Sequence, residues 1–336
     1  AEIKRHATTL ENPSSVVAEA ADMLKGKLFY VHRPADLYFF TNQINLTRVL
    51  LTRMENVQPE RIRQTERELL GQRISREQRL KVYIWPQDTA DIPDTPDLKL
   101  VILPEADPQM MQDIFERKGG TPRVHRNTLF FLAPSLSERP VFDDTVCRYL
   151  AYQSLEKDAK DKRLKLTPDQ EDEVKDGVRD SAKDLDEAVR RLYRQLFIVG
   201  RDDFKPQDLG IPTYGEKRPL DEEIYSKLRS DGEILEKIVP LVIKERFLQG
   251  RTYVLTEQLY TASLNTPGEN RVVSKSAWET GIAEGVRAGL FGLGELEEDK
   301  PVCRYFKDTA SVALSGDEII IRAELCQTQK EQAIPE

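Results

Sequence analysis

Three short apolar runs, each closed by proline, constrain this chain more than any other feature. They are LKVYIWP (80–86), LKLVILP (98–104) and NTLFFLAP (127–134). A run of that length that breaks into a Pro-containing loop reads as a strand buried on both faces, the profile of an α/β sheet. Between the second and third runs, Asp107–Lys118 has the pattern of a helix, with Asp107-Pro108 as its N-cap and first residue. Strand, helix, strand implies parallel pairing for at least the last two strands.

Ligands in such folds gather at the carboxyl ends of the strands. Here those ends are Trp85-Pro86, Leu103-Pro104 and Ala133-Pro134, and proline offers no N–H to a phosphate. The polar residues just beyond are Asp88, Glu105, Asp107 and Ser135, mostly acidic. That edge therefore reads as structural. The nucleotide motifs fail as well. No G-x-x-x-x-G-K-[ST] occurs, and Gly26-Lys27 has Ala21 where the first glycine belongs. GLFGLG (289–294) follows a helix instead of opening one, so its glycines read as a helix cap and a wing turn.

Around the α/β section the chain is helical. Asn12-Pro13 opens a first helix that Gly26 closes, and LFYVHR and LYFFTN form a hairpin through Pro34-Ala35-Asp36. Two amphipathic helices follow, from Asn45 to Met54 and from Pro59 to about Ile74. A helix from about Val141 to Lys160 precedes one long helix, Thr167–Val199. Its narrow seam of Val174, Val178, Ser181, Leu185, Ala188, Leu192 and Leu196 suits packing against one partner as a helical hairpin. Residues 200–219 read as a Pro/Gly-rich loop. Then come helices at Leu220–Leu228 and Glu233–Gln249, a strand in TYVLT, a helix at Glu257–Leu264 and another opened by a Ser276–Glu279 capping box. CRYFK (303–307) and EIIIRA (318–323) close the chain as a hairpin.

The expected fold is thus mixed α/β and helix-rich, with a small parallel-containing α/β unit, a long helical hairpin and winged-helix-like elements at both ends. The segments are 1–76, 77–140, 141–205 and 206–336.

Composition narrows the function classes. With 39% hydrophobic and 32% charged residues, a mean hydropathy of −0.54 and no apolar run near bilayer length, a cytoplasmic location with no membrane partner is expected. The start, AEIKRHATTLENP, has no signal-peptide apolar region and no Met, which suggests a piece of something longer. Cys147, Cys303 and Cys326 stand far apart and read as inert thiols in a reducing compartment.

Net charge is −8, but residues 1–86 carry 14 basic against 10 acidic residues. Any phosphate-binding surface is therefore expected there, on Arg48, Arg53, Arg61, Arg63, Arg67, Arg73, Arg76 and Arg79. The competing reading pairs these with Glu55, Glu60, Glu66, Glu68 and Glu77 on exposed helix faces. The winged-helix-like faces carry Glu19, Asp22, Glu279 and Glu284, which favours protein partners over DNA at those two places.

Catalytic signals are sparse. Pro93-Asp94 and Asp97-Leu98-Lys99 mimic a PD…(D/E)xK nuclease site, but two intervening residues are too few for its two strands. His6, His32 and His125 have no metal-ligand spacing, and no G-x-S-x-G is present. No catalytic, cofactor or metal residue is assigned.

Three blocks taken together, LYFFTNQINLTRVLLTRMENV, RNTLFFLAPS…CRYLAYQSLEKD and SAWETGIAEGVRAGLFGLG, resemble a family of large predicted AAA+-superfamily ATPases. Members often accompany DNA methylases and BREX-like phage-defence loci. The blocks run in family order over most of the chain. That family's nucleotide-binding motifs lie upstream and are missing here, and Ile44-Asn45-Leu46-Thr47 matches its Pro-Asn-Leu-Asn only in part. The resemblance implies a non-catalytic C-terminal region coupling an upstream ATPase domain, or its separate gene product, to DNA or partner proteins. ATP and Mg would then bind only upstream. The rival readings are a degenerate nuclease or nucleotide hydrolase, and a structural assembly module.

Overall fold

The computed structural model describes residues 2–27, 31–32, 39–40, 44–210 and 218–332. The fold is mixed α/β and helix-rich, as the sequence predicts. Its compact units do not follow chain order. One joins residues 1–72 to 135–192, and the other joins 73–134 to 193–336, so the four consecutive segments fall into two discontinuous units.

The first unit is built on the expected helical hairpin, Arg139–Lys160 against Pro168–Leu192. The second of these helices starts where the sequence places it. Thr167 Oγ1 accepts the Gln170 N–H, and Gln170 Oε1 accepts the Thr167 N–H, a reciprocal cap. Val174, Ser181, Leu185, Ala188 and Leu192 are buried along the seam. Midway, Gly177 lets the helices approach, since a Cβ there would overlap the Tyr152 ring. Leu46–Glu55 packs on the hairpin, with Leu46, Leu155 and Val174 sharing one cluster. Asn45 is its N-cap, accepting the Arg48 N–H. Pro59–Gln72 is tied down by Glu66, which is wholly buried and takes both arms of Arg139 at 2.7 and 3.0 Å. Val31–His32 and Phe39–Phe40 pair antiparallel, and the turn between them lies outside the described residues.

The long helix is shorter than the sequence suggested. It stops at Leu192, and Gln195–Val199 is a strand. Leu196-Phe197-Ile198-Val199 is four apolar residues in a row, which suits a strand between neighbours better than a helix with one apolar stripe. The supposed loop that follows contains another strand, Phe204–Asp208, and its residues 211–217 lie outside the description.

In the second unit these two strands complete a five-stranded sheet. Its order is Lys81–Ile84, Lys99–Ile102, Leu129–Ala133, Gln195–Val199, Phe204–Asp208, the first three parallel and the last two antiparallel. The crossover helix is Pro108–Glu116, with the Asp107 carboxylate accepting the Gln109 and Met110 N–H groups as expected. It covers one face through Val101, Leu103, Met111, Ile114, Leu129 and Phe131. The alternate residues Leu100, Ile102, Phe130 and Leu132 are equally inaccessible, so the central strands are buried on both faces.

The remainder of this unit surrounds Trp278. The helix expected over Glu233–Gln249 is instead a strand pair and a shorter helix. Ile234–Leu235 pairs parallel with Arg271–Val272, and Pro240, unable to continue a helix, opens one at Pro240–Phe247. The Trp278 helix runs Lys275–Arg287 with Ser274 at the N-cap, so Ser276 is inside it and forms no capping box with Glu279. Chain order here is helix, strand (Tyr253–Leu255), helix (Thr256–Asn265), the short strand Arg271–Val272, helix, then sheet. The final hairpin differs from expectation. Lys300–Tyr305 pairs with Phe291–Glu297, which also pairs with Glu318–Arg322. Gly289 caps the helix at φ +69°, but Gly292 and Gly294 belong to the central strand. The cysteines also differ from expectation: Cys303 and Cys326 are disulfide-bonded, with Cα atoms 5.3 Å apart across 23 positions of sequence. No helix of the described residues is long and apolar enough to cross a membrane.

Candidate functional site

Polar side chains converge at the amino ends of the parallel strands, opposite the edge where such sheets usually hold ligands. Asp94, in the loop before the second strand, organises the approach to the third. Its carboxylate accepts the Val124 N–H at 2.7 Å and the His125 N–H at 2.9 Å, and lies 3.0 Å from His125 Nδ1. Burial pushes its pKa up, and these hydrogen bonds more than reverse that, leaving it below the usual carboxylate value.

Arg123 fills the space behind. Its side chain has no exposure, and it donates to the carbonyls of Ile114, Ile92, Pro93 and Arg117, at 2.8 to 3.4 Å. Burial lowers its pKa, while Asp94 and Tyr83 act in the opposite sense. Lys99, the first residue of its strand, is also fully buried. Its Nζ donates to the carbonyls of Thr95 and Asp97 and to Thr128 Oγ1. Burial, helped by the nearby Arg123 charge, lowers Lys99 to about 8, against the attraction of Asp97 and Asp94. Asp94 and Asp97 both lie in the loop before the second strand, so the two halves of the nuclease-like match do not sit on neighbouring strands, in line with their short spacing. The chemistry of the match is also committed: Asp94 to backbone N–H groups, and Lys99 to carbonyls. Among the described residues no group of three His, Cys, Asp or Glu is arranged to hold a metal ion.

Asn127 closes the arrangement. It has no exposure, and its Nδ2 donates to Ser263 O at 2.8 Å and Glu269 O at 3.0 Å, while its Oδ1 accepts the Gly268 N–H at 3.1 Å. Arg271 answers from the other side. Its Nε donates to Asn127 O at 2.7 Å, another nitrogen donates to Val199 O, and a third meets Glu233 at 3.2 Å. The guanidinium lies 5.3 Å over the Phe130 ring. Burial lowers Arg271 to about 10, opposed by Glu233. The Arg-Asn-Thr tripeptide before the third strand thus clasps the five-stranded sheet to the Trp278 subdomain. Asn127, Arg123 and Arg271 stand in no functional motif of the sequence. The one available signal was a polar Asn-Thr pair directly abutting a wholly apolar strand.

What remains for external chemistry is modest. His125 is oriented by Asp94, is partly exposed, and its Nε2 has no hydrogen-bond partner among the described residues. The other two histidines join no such group: His6 is exposed, and the His32 side chain lies outside the description.

The eight arginines are divided between the units. In the first unit Arg61, Arg63 and Arg67 are exposed on the Pro59–Gln72 helix. Arg53 is bound to Asp158 at 2.6 Å and to Ser154, and Arg48 lies 4.0 Å from Glu55. In the second unit Arg73 accepts the Leu220 N–H on its carbonyl, Arg76 is exposed, and Arg79 sits 4.8 Å over Tyr225 and 3.8 Å from Glu236. Of the expected Glu partners, Glu55 does lie beside Arg48, but Glu66 pairs with Arg139 and Glu68 accepts from Gln64.

No family model matches the chain, and no solved structure matches it. One curated protein, a component of the glutamyl-tRNA(Gln) amidotransferase of Roseobacter denitrificans, is similar over part of its length. The two are 35% identical across 118 residues. That stretch covers 31% of this chain and 22% of the relative, so the likeness spans about a fifth of that protein. It is too partial to assign a family.

Proposed function

We propose that this chain is a non-catalytic coupling region of an AAA+-like ATPase, acting in the cytoplasm to connect an upstream motor to DNA or to partner proteins. One observation carries the reading. One of the three blocks that carry the resemblance, around Arg126–Ala133, commits its polar groups to internal hydrogen bonds, with Asn127 and Thr128 both fully buried. A catalytic constellation keeps donors or acceptors aimed at a reacting atom, whereas this one aims them at its own backbone. Outward-facing cations lie elsewhere, on Arg61, Arg63 and Arg67, where guanidinium forks suit phosphate oxygens.

The test is an electrophoretic shift series on duplex DNA from low to physiological salt. Three phosphate contacts give a log–log slope of roughly −3, with little sequence preference. Replacing Arg61, Arg63 and Arg67 together with Glu abolishes the shift while the far-UV spectrum is retained. No shift at low salt removes DNA from the proposal and leaves protein partners. Saturable binding of ATP with magnesium, read by titration calorimetry, overturns the non-catalytic reading.

A further inference from the structure

We propose that Cys303 and Cys326 form a reversible thiol–disulfide clasp that decides whether the last helix, Ala323–Gln332, stays fastened to the C-terminal sheet. Cys303 lies on Lys300–Tyr305, the edge strand of its sheet, and Cys326 lies at the start of that helix. The fold makes room for the bridge. A Cβ on Gly292 of the adjoining central strand would overlap Cys326 Sγ and stand 2.8 Å from Cys303 Sγ, so a side chain there is incompatible with the bond. The non-covalent attachment of the helix is modest. Gln329 accepts the Cys303 N–H at 2.8 Å and donates to Pro301 O at 2.9 Å, and Lys330 donates to Phe306 O at 3.2 Å. The apolar contact is a cluster of Phe306, Ile319, Ile321 and Cys326, against which Ala323 and Leu325 of the helix are partly buried. Three part-buried hydrogen bonds and one apolar cluster are the non-covalent ties that the described residues show between this helix and the sheet, few enough for the segment to open locally without a covalent tie.

The two sulfurs are unequal. Cys326 is fully buried and Cys303 is half-buried at the sheet edge, so an incoming thiolate reaches Cys303 first. With a dithiol reductant, its first thiolate attacks Cys303 Sγ, forming a mixed disulfide and expelling Cys326 as a thiolate that takes up a proton. The reductant's second thiol then attacks the mixed disulfide, freeing Cys303 as a thiol and closing the reductant's own disulfide. Two electrons and two protons pass to the chain, and the reverse sequence restores the clasp. Cys147 is a poor internal competitor, because burial and the neighbouring Asp144 and Asp143 charges hold its thiol above its ordinary pKa.

The first turn of the fastened helix, Ala323 and Glu324, also lines a surface cleft of about 540 Å³, together with Arg322 of the preceding strand and with Lys244, Leu248 and Leu290. Opening the clasp therefore changes that cleft as well as the helix that lines it.

The experiment uses the whole chain purified without reductant. Thiol titration in guanidinium gives one reactive thiol before reduction and three after it. Trypsin cleavage at Arg322 and Lys330 accelerates on the order of a hundredfold in dithiothreitol, since a bridge closing a loop of this size shifts the opening equilibrium by about that factor. The Cys303→Ser variant cleaves at the accelerated rate with or without reductant, and retains the far-UV spectrum of the parent. Three thiols before reduction overturn the proposal. So does a cleavage rate that reductant leaves unchanged, because the bridge would then hold nothing that its absence releases. The reduced parent chain supplies the same comparison if the serine variant fails to fold.

Discussion

Removing the Asn127 side chain tests the clasp between sheet and subdomain directly. In Asn127→Ala three backbone groups lose their partner at once: Ser263 O, Glu269 O and Gly268 N. The Ser263 bond is wholly buried and the other two partly so. An unpaired buried polar group costs about 1–3 kcal/mol, with the lower figure applying where water can enter. One full and two reduced penalties sum to about 3–5 kcal/mol. The backbone carbonyl of Asn127 still accepts from Arg271 Nε in the variant, so the loss is confined to the side chain. Urea unfolding followed by tryptophan fluorescence reads the change, because Trp278 lies in the subdomain being clasped and donates to Ser263 Oγ. With a slope of about 2 kcal/mol per molar, the midpoint falls by roughly 1.5–2.5 M. Asn127→Asp keeps an acceptor for the Gly268 N–H but sets a carboxylate against two carbonyl oxygens, so it is at least as damaging as alanine. A midpoint shift below about 0.3 M for both variants would refute the argument.

Three other outcomes follow from the same reasoning. Leu185→Asp places an unpaired charge in the hairpin seam, where Leu185 is 1% exposed, and costs about 3–5 kcal/mol; an unchanged melting temperature would mean the seam is open. Gly177→Ala gains about 1 kcal/mol of helix propensity but forces a methyl against the Tyr152 ring, for a net loss of about 1–2 kcal/mol that Tyr152→Ala relieves in a double-mutant cycle. Lys99 is lowered from 10.5 to about 8, so between those values the unfolded chain binds more protons than the folded one and stability rises with pH. Relative to Lys99→Met, the parent gains about 2 kcal/mol between about pH 7.5 and 9.5 and changes no further below that window; parallel curves for the two proteins would count against it.

Local pattern alone was enough for the parts of this protein that depend on neighbouring residues. The three proline-closed runs are strands, Asp107-Pro108 starts a helix, Thr167-Pro168 starts another, and the seam through Leu185 is buried. These features follow from side-chain periodicity and capping, which act over one or two turns. The exposure of Arg61, Arg63 and Arg67 was legible for the same reason.

Long-range pairing was not. Gln195–Val199 continues the periodic spacing of the helix before it, and only an open edge beside Leu129–Ala133 makes it a strand. Gly292 and Gly294 look like turn residues until Glu318–Arg322 lies beside them. Cys303 and Cys326 meet because an edge strand and a terminal helix are folded onto one sheet. Asp94, Lys99 and Asn127 acquire their partners in the same way, from segments about 30 to 140 residues away. Such contacts depend on how elements are arranged in space, and sequence spacing carries little information about that arrangement. The sequence by itself therefore determined which segments are helix or strand wherever the local pattern was unambiguous, and that Arg61, Arg63 and Arg67 lie on an exposed helix face, while the tertiary structure decided which polar groups, Lys99, Arg123 and Arg271 among them, are consumed in holding the fold together.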